Sequence, residues 1–124
     1  MPRHSQRHVR PRTKPESILQ GKIIDMLKVY DWHIKETHGN LYQSGFPDLY
    51  IYHPTDGTRW VEVKVPNKYK FTSAQLTTFP DMSACNVGIW ILTAATTLEY
   101  DKLYGPANWH MYLDVMKHNS RLRI

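Results

Sequence analysis

The sequence holds one cysteine, Cys85, in 124 residues, so no intramolecular disulfide can form and no C-x-x-C motif is available for redox chemistry or zinc. Apolar runs are short: none approaches the ~18 residues of a transmembrane helix, and no apolar segment follows the N-terminal charges as a signal peptide would require. These absences predict a soluble protein of the reducing cytoplasm with no membrane contact. Seven histidines invite a search for zinc, but only His4 and His8 stand at i,i+4, which argues against a structural zinc site. There is no P-loop and no G-x-G-x-x-G. Ser44, Ser73 and Cys85 lack an evident histidine and acid set, which argues against nucleophilic catalysis. No internal repeat is visible.

Acid is missing from one place in particular. Residues 1–14 carry Arg3, Arg7, Arg10, Arg12 and Lys14 with no Asp or Glu, and they supply the whole net charge of +5 because the remaining 11 basic and 11 acidic residues cancel. Rich in proline, arginine and histidine and without apolar periodicity, this stretch reads as a disordered arm able to lie along phosphates, or as a solvated tail with no partner. The rest, residues 15–124, fits one small domain with a modest core, given 41% hydrophobic content overall.

What is present centres on Gly45 to Val65. Leu49 to His53 alternates with aromatic and β-branched residues, Trp60 to Val65 alternates strictly, and Pro54-Thr55-Asp56-Gly57 between them is turn chemistry. A three-residue loop, Thr55-Asp56-Gly57, predicts that Pro54 pairs with Thr58, Tyr52 with Trp60, Tyr50 with Glu62 and Asp48 with Lys64. A five-residue loop gives the same pairing and relieves Pro54, which has no N–H for the innermost bond. Any odd loop puts Asp48, Glu62 and Lys64 on one face and Leu49, Ile51, Val61, Val63 and Val65 on the other. The first face would be a site and the second a core. Two carboxylates and an ammonium suit a hard divalent cation and a phosphate, with the carbonyl of Val63 between them in sequence. Taken alone, Glu62-Val63-Lys64 reads as part of an amphipathic hairpin with a solvated cross-strand salt bridge worth ~0.2–1 kcal/mol.

The combination is more specific. Gly45-Phe46-Pro47-Asp48, then thirteen residues from Leu49 to Val61, then Glu62-Val63-Lys64-Val65-Pro66 resembles the PD-(D/E)XK nucleases. It looks most like their VRR-NUC branch, the virus-type replication and repair nucleases, found alone in phages and as C-terminal domains of repair nucleases. The resemblance implies that Asp48 and Glu62 hold a metal ion and that Lys64 serves the attacking water. It also places the family's first-helix acid on Glu16 and its helix-opening glutamine on Gln75. It covers residues 15–93.

The rest of the chain predicts the framework. A helix should run from Pro15 to about Tyr30, with Ile18, Leu19, Ile23, Met26, Leu27 and Tyr30 at helical spacing. Thr13-Lys14-Pro15-Glu16 is also a capping box, so Glu16 has a structural reading beside its metal one. His33 to Glu36 predicts a first strand, His38-Gly39-Asn40 a turn, and Pro66 to Lys70 a loop that sets Lys68 and Lys70 beside the site, either solvated or touching the substrate backbone. Thr72 can cap a second helix with Gln75 at its third position, again a structural alternative, and that helix should end by Phe79-Pro80. Asn86 to Thr93 predicts a buried strand returning beside the hairpin, and Pro106 to His118 a closing helix with Trp109, Tyr112, Leu113 and Met116 inward. The order αβββαβ gives an α/β fold, a restriction-endonuclease-like core with a mixed four-stranded sheet flanked by helices.

The expected activity is Mg²⁺-dependent hydrolysis of DNA phosphodiesters, with Mn²⁺ able to substitute. Lys64 would act as base or, given two carboxylates and a phosphate beside it, as a charged donor that positions water. Branched DNA, nicked duplex and a specific site are all open as substrates, with the family leaning towards branched structures in replication, recombination and repair. A homodimer would suit two symmetric cuts. The competing reading is a non-catalytic nucleic-acid-binding module on the same fold, which would not need the Asp48, Glu62 and Lys64 set.

Overall fold

A computed structural model of the chain describes residues 14–37 and 44–113. Helix α1 (Pro15–Val29) opens with proline at its first position, where a missing N–H costs nothing because that amide would be unpaired in any case. Its N-cap is Lys14 and no side chain caps it, so Glu16 stands in the second helical position and not the third that a capping box requires. The predicted box with Thr13 is thus not formed; Thr13 itself lies outside the described residues. Ile23 and Leu27 are fully buried, as the periodicity predicts, whereas Ile18 and Tyr30 are exposed at the helix margins. The helix stops as Asp31 turns left-handed, φ +72°, and the Trp32 amide bonds back to Leu27.

Four strands follow the predicted order: β1 (His33–Glu36), β2 (Leu49–His53), β3 (Gly57–Val63) and, after helix α2 (Ser73–Ala84), β4 (Ile89–Leu92). They lie side by side as β1-β2-β3-β4, the first three antiparallel and β4 parallel to β3. The parallel pair needs a crossover, which α2 supplies. The predicted turn at His38-Gly39-Asn40 lies outside the described residues.

The hairpin turns one residue earlier than its spacing predicts. His53 pairs with Gly57, Tyr52 with Thr58, Tyr50 with Trp60 and Leu49 with Val61, so the loop is Pro54-Thr55-Asp56. Placing Pro54 inside the loop removes its demand for a ladder bond, and the His53 Nδ1 accepts the amides of Thr55 and Asp56 at 3.2 Å each. Gly57, at φ +86°, takes the left-handed step. Both loops have three residues, so the faces are as expected, but Asp48 now continues the ladder opposite Glu62 instead of Lys64.

Helix α2 does not end at Pro80; it runs through it to Ala84. Pro80 lies on the exposed side, where water can take the carbonyl that proline leaves unbonded, while Phe79 is fully buried and anchors the turn. Past β4, helix α3 (Thr97–Asp101) and a 3-10 turn (Lys102–Tyr104) were not expected from the sequence. Five residues are too few to show a helical period, although Thr96-x-x-Glu99 carries the cap: Thr96 Oγ1 accepts the Glu99 amide at 3.2 Å. The closing helix begins later than Pro106, with residues 109–113 helical. Trp109 is buried and Tyr112 and Leu113 half-buried, as expected; Met116 is outside the described residues.

The second face carries a core of its own over β3 and β4 beside the Asp48 and Glu62 site, so the expectation of a core on one side and a site alone on the other is corrected. Ile23, Ile24 and Leu27 of α1 meet Leu49, Ile51, Val61, Val63 and Leu92 on one side. Phe71, Phe79 and Trp109 meet Ile89 and Ile91 on the other, with Trp60 packed against them. The reason is the crossover: a parallel strand brings its helix onto the sheet's second face.

Candidate metal centre

Glu16 from the start of α1, Asp48 at the entry to β2 and Glu62 in β3 each offer a carboxylate oxygen, and these three oxygens lie within 4.8 Å of one another. Asp48 is placed by what precedes it. Gly45, at φ +87°, lies so close to α2 that a Cβ there would stand 2.7 Å from the Ala74 carbonyl oxygen and 2.7 Å from Thr78 Oγ1. The Thr37 amide donates to the Asp48 carbonyl at 2.9 Å, and its hydroxyl donates to the Pro47 carbonyl. Asp48 and Glu62 then hold each other through the backbone. The Asp48 amide donates to Glu62 Oε1 at 3.0 Å, and the Val63 amide donates to Asp48 Oδ2 at 2.8 Å.

Glu62 is 1% exposed, and its second oxygen is shared. Gln75 Nε2 donates to Glu62 Oε2 at 2.8 Å, and Lys64 Nζ is 3.1 Å from the same oxygen. The ammonium also donates to the Lys70 carbonyl at 2.8 Å and to Gln75 Oε1 at 3.1 Å, which uses all three of its donors. It sits 4.7 Å from the Phe71 ring centre. Gln75 caps as well: Thr72 Oγ1 accepts the Gln75 amide and Gln75 Oε1 accepts the Thr72 amide, both at 3.1 Å. The capping reading and the site reading of Gln75 are therefore one arrangement.

Burial pushes the Glu62 carboxyl up to about 8, with the nearby Asp48 charge adding to it and Lys64 opposing it. Asp48 is raised as well, mainly by burial and then by the charge of Glu16, against the Val63 amide bond that favours its ionised form. Three converging carboxylates, two of them reluctant to ionise, are a donor set of hard oxygens that a divalent cation would complete. Val63 shares in this: in extended backbone the N–H and C=O of one residue lie on the same edge, so its carbonyl opens on the side of the Asp48 carboxylate.

These groups line a cavity of about 460 Å³ whose wall also includes Lys14, Lys68, Tyr69 and Lys70. Glu62 and Lys64 are buried, whereas Glu16, Lys14, Lys68 and Lys70 are exposed. Of the residues singled out in the sequence, Glu16, Asp48, Glu62, Lys64, Gln75, Lys14, Lys68 and Lys70 come together here, whereas Val63 is fully buried and is not part of the wall. Arg3, Arg7, Arg10 and Arg12 lie outside the described residues. Thr37 was missed, since a threonine after a short strand has no sequence signal; Gly45 had one, a glycine three residues ahead of the acid.

No family model and no curated protein matches the sequence. A solved structure does match in three dimensions: a "VRR_NUC domain" superposes with a TM-score of 0.59 over 75% of this chain and 98% of that one, at 17% identity. The chain has the VRR-NUC fold. At that identity the likeness is one of architecture, a mixed four-stranded sheet with helices on its faces. Among the described residues no helix is long and apolar enough to cross a membrane.

Proposed function

We propose that this chain is a metal-dependent nuclease that hydrolyses phosphodiester bonds in DNA, with branched or flapped DNA as its substrate class. The observation that carries the reading is the convergence of Glu16, Asp48 and Glu62 with Lys64 and Gln75 in one cavity of a VRR-NUC fold. Asp48, Glu62, Glu16 and the Val63 carbonyl would hold Mg²⁺, or Mn²⁺ in its place. When bound, the ion supplies Lewis-acid stabilisation of charge on the phosphoryl group.

The chain's own residues do the rest. Gln75 fixes one oxygen of Glu62 and so orients the carboxylate. Lys64, whose three N–H groups already have acceptors, offsets charge in the transition state from a fixed position, and positions water only by giving up one of those bonds. The exposed Lys14, Lys68 and Lys70 neutralise the flanking phosphates, which positions the strand without reading its bases.

The test is a panel of labelled duplex, flap and junction DNAs incubated with Mg²⁺, with Mn²⁺ and with EDTA. Cleavage should require metal, and Asp48→Ala or Glu62→Ala should abolish it while DNA binding in EDTA is equal or tighter, because each removes a carboxyl group that repels phosphate whenever it is ionised. Undiminished cleavage by either variant removes these residues from the mechanism. Binding with no cleavage of any DNA under any metal identifies a non-catalytic module.

A further inference from the structure

Helix α2 leaves β3 and crosses to β4, so it covers the half of the sheet that those two strands form. Its core cluster takes in Ile89, Ile91 and Trp60 but no residue of β1 or β2. On that same face the β1–β2 half carries His33, Lys35, Tyr50 and Tyr52, because His33 pairs with Tyr52, Lys35 with Tyr50 and Tyr50 with Trp60. Cross-strand partners share a face.

The aromatic rings on this half form an unbroken series. Phe46 meets Trp60 at 5.7 Å, Trp60 meets Tyr50 at 4.8 Å, Tyr50 meets Tyr52 at 6.0 Å and Tyr52 meets His33 at 5.0 Å between centroids. It begins two residues from Asp48 and Glu62 and ends at the sheet edge. Phe46 is 40% exposed and Tyr52 37%.

We infer that this strip is a stacking platform for the unpaired bases of a single nucleic-acid strand that leads into, or away from, the cavity of Asp48 and Glu62. The inference rests on the nuclease reading for its direction but not for its binding. Three features select this occupant. Base-on-aromatic stacking needs half-exposed ring faces and tolerates any sequence. Bases within a duplex are paired and stacked on one another, so only the unpaired bases of a single strand can lay a face on these rings. Between the site and the sheet edge the strand positions of this face carry Lys35 and His33 and no acid, and Glu36, next in sequence, points to the other face, where Gln20 donates to it at 3.0 Å. A second copy of the chain would be expected to bury a broader, apolar patch.

The experiment measures binding of a fluorescein-labelled oligothymidylate to the full chain by anisotropy, in EDTA so that no cleavage intervenes. Tyr52→Ala should weaken binding between about 5- and 100-fold. Tyr52→Phe, which keeps the ring, and Leu98→Ala, which removes an exposed apolar side chain from α3, should bind as the wild type does. Tyr50→Leu, which keeps apolar bulk and hence the fold, should also weaken binding. Circular dichroism confirms folding. Wild-type affinity in folded Tyr52→Ala and Tyr50→Leu overturns the proposal, and so does failure of the wild type to bind the oligonucleotide. A Tyr52→Ala variant that changes from dimer to monomer with binding intact overturns it too, and makes the strip an interface between copies. Ring-dependent binding without metal-dependent cleavage of any DNA would sink the nuclease reading alone; cleavage with ring-independent binding would sink this one alone.

Discussion

Asp48 and Glu62 are each held by the other's strand: the Asp48 amide donates to Glu62 Oε1 at 3.0 Å while the Val63 amide donates to Asp48 Oδ2 at 2.8 Å. The pair thus sits where the β2–β3 ladder would place its next rung, with carboxylates standing in for carbonyls. Two acids are pinned close together in a largely buried place, and the repulsion between them is what a cation relieves.

That repulsion predicts a linkage between pH, metal and stability. Both carboxyls are raised above their ordinary range, which in an unfolded chain is about 4. A raised acid stabilises the fold while protonated; the contribution is full below about pH 4 and is lost as pH rises through the folded value, about 8 for Glu62. The melting temperature of the metal-free protein should therefore fall from about pH 5 to about pH 8, and Mg²⁺ or Mn²⁺ should restore it more at the higher pH. Glu62→Gln should remove most of the fall. Thermal melts across that range with and without EDTA check it; a metal-free curve that Glu62→Gln leaves unchanged would be the contrary result.

Gln75 separates its two duties by comparison with Thr72. Thr72→Ala removes the helix cap and should cost about 1 kcal/mol. Gln75→Ala removes the returning cap bond and also the donor to Glu62, so cleavage should drop by about 10- to 100-fold, well beyond the effect of Thr72→Ala. Cleavage rates measured well below both melting temperatures decide between them. Equal losses in the two variants would reduce Gln75 to a cap.

The loop Pro54-Thr55-Asp56 predicts a parity effect. One residue inserted after Asp56 makes the loop even, or forces a bulge, so either the carboxylates part or the valines are exposed. Two inserted residues restore parity and should recover much of the activity, because a surface loop tolerates length. Metal-dependent cleavage by the two insertions, with circular dichroism for folding, is the measurement. Equal activity would sink the parity argument and leave Asp48 and Glu62 in place.

The arm predicts a salt effect. Deleting residues 1–13 removes Arg3, Arg7, Arg10 and Arg12. If each neutralises a phosphate, affinity falls for every DNA and the dependence of log affinity on log salt flattens by about 0.9 on duplex for every phosphate left without its arginine. Titrations at several salt concentrations read the slope, and an unchanged slope would make the arm idle.

Local features were legible along the chain. Alternation in Leu49–His53 and Trp60–Val65, a turn between them and an odd loop were enough to put Asp48, Glu62 and Lys64 on one face, because side-chain direction in a strand depends only on parity. The Thr72–Gln75 box was legible for the same reason: four consecutive residues make it. Packing settled what parity cannot. The register slipped by one pair because Pro54 cannot donate, and that slip set Asp48 opposite Glu62. Glu16 had two readings in sequence, and only the packing of α1 on the sheet brought its carboxylate to the other two. Helix α2 continued past Pro80 because Phe79 is buried, a gain no local rule reports. The open half of the sheet, with Tyr50 and Tyr52 on it, exists because one crossover helix covers only the strands it joins. Each of these depends on which surfaces meet, and spacing along a chain carries that information only when the surfaces are neighbours in sequence.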